Sequence, residues 1–143
     1  MNITVDLIRK MKKAGFSDPQ RDKKCAMGTA YYYQGREYII GRSPNGKITD
    51  FDREVAEKGE WLPNQFDLFE WLYYTDFKVT VIFGEEHIFY VKATDLVNGK
   101  EYSACSLSLD DTLACVIRKI CKSGERDYTP RPALIIEVLD EDD

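Results

Sequence analysis

Two turn signals and a helix stop confine the middle of this chain more tightly than any other feature. Asn98-Gly99 stands between "HIFYVKAT" over 87–94, which alternates apolar and polar residues imperfectly, and "KEYSACS" over 100–106, which alternates well. That combination marks a β-hairpin, because the central residues of its tight turn need positive φ. "FKVTVIF" over 77–83 alternates as well, and Gly84-Glu85-Glu86 joins it to the next run. The three runs predict an antiparallel meander. The segment after them, "SLSLDDTLACVIRKICKSG", predicts a helix: Ser108 as cap, Asp111 three residues on, and Gly124 as stop. Its apolar stripe is Leu109, Leu113, Val116, Ile117 and Ile120. Asp110 and Asp111 suit its positive end, and Arg118, Lys119 and Lys122 its negative end.

Upstream, "EWLPNQFDLFEWLYYT" predicts an apolar helix with Pro63 in its first turn. Its large side chains spread over more than one face, so it must be covered on two sides or kept partly for a partner. "TAYYYQGREYIIG" predicts a hairpin turning at Gln34-Gly35. "TDFDREVAEKG" predicts a short helix from Thr49 or Asp50 to Gly59. Ile3, Leu7, Ile8 and Met11 give an amphipathic first helix that stops near Gly15. "ALIIEV" near the end reads as one more strand, at a sheet edge. The expected fold is α+β: a three-stranded antiparallel meander with helices packed on one face (α-β-β-β-α), plus an N-terminal helix and β-hairpin. The expected organisation is a helix-and-hairpin subdomain over 1–59 and an α-β-β-β-α domain over 60–143 that carries a C-terminal strand and an acidic tail.

Composition narrows the chemistry. A chain of 143 residues, 43% hydrophobic, can build a core without disulfides. Its four cysteines have no CxxC spacing and there is one histidine, which argues against structural zinc and for reduced thiols. No apolar run is long enough to span a bilayer and the start carries no export signal, so a cytoplasmic protein is expected. The formal charge of −5 is divided unevenly. Residues 1–59 hold 12 Lys and Arg against 8 Asp and Glu, and residues 60–143 hold 8 against 17. An acidic C-terminal half is a poor phosphate-binding surface and a good match for a basic partner.

No catalytic motif stands out in the sequence, and the abundant carboxylates leave open a third reading, an enzyme whose acid/base or metal-binding carboxylates come from separate elements. His87 is the single candidate base and lies at a turn beside Glu85 and Glu86, where a turn residue suffices as explanation. The pairs Glu85-Glu86 and Asp110-Asp111 read as a hairpin turn and a helix start. No P-loop, GxGxxG or HExxH occurs.

Two resemblances rest on these residues. "GEEH", "NGKEYSA" and the helix after them resemble the double-stranded-RNA-binding domain. In that family the turn histidine enters a minor groove and lysines at the start of the last helix grip phosphates. Here Asp110 and Asp111 stand at that helix start, so the resemblance implies the topology without the phosphate grip. "GEWLPNQFDLFEWL", the strands from Phe77 to Ser106 and "SLDDTLACVIRKIC" are similar to small phage and prophage proteins of the phage ABA sandwich type. That resemblance covers about half of the chain. It implies a mobile-element accessory protein.

The expected function is therefore protein binding, without catalysis, cofactor or metal. A concrete version is a phage protein that inhibits a host defence nuclease in the anti-CRISPR manner, its acidic half mimicking nucleic acid in a cationic channel. The residues expected to contact a basic host protein are Glu85, Glu86, Asp110, Asp111, Asp140, Glu141, Asp142 and Asp143. The surplus of aromatic residues also points to a homodimer. The alternative is RNA or single-stranded DNA binding through Arg9, Lys10, Lys12, Lys13, Lys23 and Lys24, with Tyr31–Tyr33 as a stacking surface.

Overall fold

The structure is a computed structural model that describes residues 4–41 and 47–132. It is an α+β fold of four helices and two three-stranded antiparallel sheets. Helix α1 (Val5–Ala14) is capped by Thr4, whose hydroxyl accepts from Leu7 N–H at 3.3 Å. It stops at Gly15, where φ is 120°. Strands β1 (Ala30–Tyr33) and β2 (Arg36–Ile39) form the expected hairpin. Gln34 and Gly35 both have positive φ at its turn. Helix α2 (Asp50–Lys58) is capped by Thr49.

One expectation fails next. The segment 60–62 is not helical: Glu60–Leu62 is β3, which pairs with β1 through Tyr31↔Trp61 and gives the order β2-β1-β3. Pro63 disfavours helical backbone at Leu62, and β1 offers a free edge. Helix α3 (Gln65–Tyr74) starts later, at a capping box between Asn64 and Asp67. Gly59, between α2 and β3, has room for no side chain: a Cβ would sit 2.5 Å from the Val55 carbonyl oxygen.

The meander forms as expected from β4 (Phe77–Phe83), β5 (Phe89–Asp95) and β6 (Glu101–Ser106), in that order. Helix α4 (Leu109–Ser123) comes next, with the Ser108 hydroxyl accepting from Asp111 N–H at 3.3 Å. It packs on β5 and β6 with one side and on α1 and α3 with others. This explains why Leu113, Ala114, Val116, Ile117 and Ile120 are all fully buried, more than one stripe wide. A single buried cluster runs from Ile8 and Met11 of α1 through Tyr31, Trp61 and Trp71 to α4. The segment "ALIIEV" and the acidic tail lie outside the described residues.

Polar groups fix the connections. Trp71 Nε1 donates to the Ser17 carbonyl at 3.0 Å. Arg21 pairs with Asp67 at 3.2 Å and with Glu70, tying the loop after α1 to α3. Asp18 and Asp67 are both buried, and burial raises the pKa of each above the usual carboxylate value. Asp95, fully buried at the end of β5, accepts from Arg126 Nε at 2.8 Å and from Val97 N–H at 2.8 Å.

Candidate interaction surface

The second sheet presents Phe77, Val79, Val81 and Phe83 to one side, because successive side chains of a strand alternate. Phe77 is 4% exposed, Val81 is 41% and Phe83 is 60%. The helical layer thus ends before β4 does, and the far end of the β4–β5 hairpin projects uncovered. Ile82 and Tyr90, paired across the strands on the opposite side, are also exposed, as is Leu107 at the end of β6. Phe83 and Phe89 are in ring contact with centroids 4.9 Å apart, and the His87 ring is 6.0 Å from Phe83. The tip is therefore apolar on both faces.

Its turn is built against local preference. Glu85–His87 make the turn, which is closed by the Gly84 N–H donating to the Ile88 carbonyl at 2.8 Å. Glu86 and His87 have φ of 59° and 61°. Consecutive positive φ values are the habit of Asn-Gly, which adopts them at little cost, whereas a residue with an ordinary Cβ is strained there. All three turn residues are exposed.

The expected acidic residues are placed in part at this end. Glu85 and Glu86 stand on the tip itself. Phe89 pairs with Ser106, so the tip and the start of α4 lie at the same end of the sheet. Asp110 and Asp111 are in that first helical turn, half-buried, and Asp110 accepts from Gln65 Nε2 at 2.9 Å. Asp140, Glu141, Asp142 and Asp143 lie outside the described residues. Sequence reasoning missed Val81, Ile82, Phe83 and Tyr90 as surface, because an alternating strand gives no sign of where its covering helix stops.

The basic candidates separate into two sets. Arg9 and Lys12 turn to Glu60, at 3.0 Å and 3.9 Å, and Lys12 also donates to the Trp61 carbonyl at 2.6 Å. Lys10 and Lys13 face α4. Lys23 and Lys24 are exposed on a loop, with Lys23 at positive φ. Tyr31 is buried, not a stacking platform; its hydroxyl donates to the Lys24 carbonyl at 2.8 Å and burial pushes its pKa up to about 12. Tyr32 and Tyr33 are half-buried, and Tyr32 lies under the Arg9 guanidinium at 5.7 Å.

Burial likewise pushes the Cys121 thiol up to about 12, so it stays protonated at neutral pH. Among the described residues no group of three or more His, Cys, Asp and Glu is arranged to hold a metal ion. No described helix is long and apolar enough to cross a membrane. No protein-family model, no curated protein and no solved structure matches this chain.

Proposed function

We propose that the chain is a non-enzymatic protein-binding module that engages its partner with the tip of the β4–β5 hairpin. The uncovered apolar tip carries this reading: Val81, Ile82, Phe83 and Tyr90 are between 41% and 60% exposed, and Glu85 and Glu86 crown them. Exposed apolar side chains beside a charged rim are the usual form of an interaction site. The carboxylates choose the partner's chemistry, an apolar groove flanked by lysine or arginine. The strained turn supports the same reading, since backbone strain at an exposed tip persists where a bound state uses it. A mobile-element protein that blocks the cationic channel of a host defence nuclease is the concrete version we favour.

A double variant, Glu86→Asn with His87→Gly, tests this. It relieves the turn and should stabilise the fold by about 1–2 kcal/mol, read as a raised urea midpoint. The same variant removes one crown carboxylate. With Phe83→Ser and Glu85→Gln it forms a set to immobilise beside the wild type and expose to host lysate. The expected result is a protein retained by the wild type, lost from Phe83→Ser, weakened in the other two, and eluted as salt rises from about 0.05 to 0.5 M. Capture of the same proteins by wild type and Phe83→Ser alike would remove the hairpin tip as the binding surface.

A further inference from the structure

Helices α1 and α4 pack together, and along their outer seam runs a groove of about 550 Å³ lined by Lys10, Lys13, Ala14, Arg118 and Lys122. Four of these five residues are cations and none is a carboxylate. Lys10 and Lys13 are three apart on α1, and Arg118 and Lys122 four apart on α4, so each pair shares a helix face. The groove thus brings two rows of like charge face to face.

Among the described residues no carboxylate pairs with them. Glu60 takes up the other two cations of α1, Arg9 and Lys12. Among the described residues Lys10, Lys13, Arg118 and Lys122 form no ion pair or hydrogen bond. Arg118 Nε is in addition sealed from solvent without an acceptor. A buried donor left unpaired is unfavourable, and opposed like charges add to that cost. The helix dipole accounts for Lys13 and Lys122, which occupy last turns. It does not account for Lys10 and Arg118, which lie further from the helix ends. An arrangement of four converging unpaired cations, one of them with a desolvated donor, is unfavourable empty and favourable around an anion.

We propose that the α1–α4 groove binds a linear run of phosphates. Four cations match several negative charges in a row better than one. The walls offer no aromatic ring and a single methyl group, so nothing there reads a base or a lipid tail; the ligand is held by the charge of the four cations. A phosphodiester backbone and an inorganic polyphosphate share that chemistry. The site is independent of the hairpin tip, and neither proposal needs the other.

Titration of the full chain with inorganic tripolyphosphate, and with a dT oligonucleotide of roughly twelve residues, tests it at low salt. Saturable binding to one site is expected, with each ligand displacing the other. Arg118→Gln, and separately Lys10→Gln with Lys13→Gln, should each weaken it by about ten-fold. For the oligonucleotide, each cation removed should lower the slope of log K against log salt by about 0.7. The tighter ligand identifies the source, nucleic-acid backbone or free polyphosphate. Melting curves guard against trivial loss of fold, and the unliganded variants should melt no lower than the wild type, because repulsion has been removed. No saturable binding of either ligand, or binding that both variants leave unchanged, would overturn the proposal.

Discussion

An Ile117→Asp chain will show no cooperative unfolding transition. Ile117 is fully buried in α4, the one helix that touches the second sheet, α1 and α3 together. A carboxylate there has no cation within the surrounding cluster of Ile8, Met11, Leu72, Leu113 and Ile120. It must either ionise in an apolar interior or bind a proton at the expense of folding energy, and it also removes the packing of a large aliphatic side chain. The sum matches or exceeds the roughly 5–15 kcal/mol that holds a domain of this size. Circular dichroism with a urea series is the measurement. Val116→Asp should behave alike, since Val116 is equally buried. Ile117→Val, which removes one methylene, should cost only about 1 kcal/mol and keep a sharp transition. A folded Ile117→Asp protein would mean that α4 is not the shared centre of the core.

The second large effect belongs to Asp95. Asp95→Ala should cost about 3–5 kcal/mol, because it strands a cation held in place by its surroundings. Arg126 donates to Asp95, to the Thr75 carbonyl and to the Asp127 carbonyl, and its guanidinium lies over Phe77 at 5.3 Å and Tyr128 at 4.9 Å. The pair therefore joins the end of α3, β4, β5 and the segment after α4. It also shapes the acid limb of stability. Burial by itself would raise the Asp95 pKa, but the bonds from Arg126 and Val97 N–H outweigh it, and the net direction is below 3.8. A depressed carboxylate contributes stability in full above its unfolded pKa and loses it as pH falls through the folded value. Asp18 and Asp67 work in the opposite sense. Burial raises them above 3.8, so the folded state takes up their protons first and gains stability as pH falls through that higher range. For these three groups together, stability should reach its maximum in weak acid above pH 3.8 and drop below it. Urea midpoints against pH should show the drop shrink in Asp95→Asn. An undiminished drop would put the acid sensitivity elsewhere.

Much of this architecture was legible in the residues. The meander was, because its turn residues and the alternation of β4 and β6 are local signals; the β5–β6 connection itself is the longer loop 96–100, in which Gly99 but not Asn98 has positive φ. So was α4, because Ser108 and Gly124 bracket it. Strand β3 was not. Trp61, Leu62 and Pro63 fit the start of an apolar helix as well as a buried strand, and what decides between them is pairing with Tyr31, far back in the chain. The site was legible in halves for the same reason. Glu85 and Glu86 declare a turn, but the height at which the helical layer leaves Phe83 bare is a property of packing. Lys10, Lys13, Arg118 and Lys122 read in the sequence as scattered charges on two separate helices; only the docking of α1 on α4 sets them against one another.

The two sheets also differ in how they must form. Strands β4, β5 and β6 and helix α4 are contiguous in the chain, so their contacts close short loops at a small entropic cost. The first sheet is complete only when β3 returns across α2 to reach β1. Assembly should therefore begin between Phe77 and Ser123, with the β1–β3 ladder arriving after the rate-limiting step. Kinetic φ-values near zero at Tyr31, and well above it at Ala93 and Leu113, would record that order; equal values at all three would abolish it.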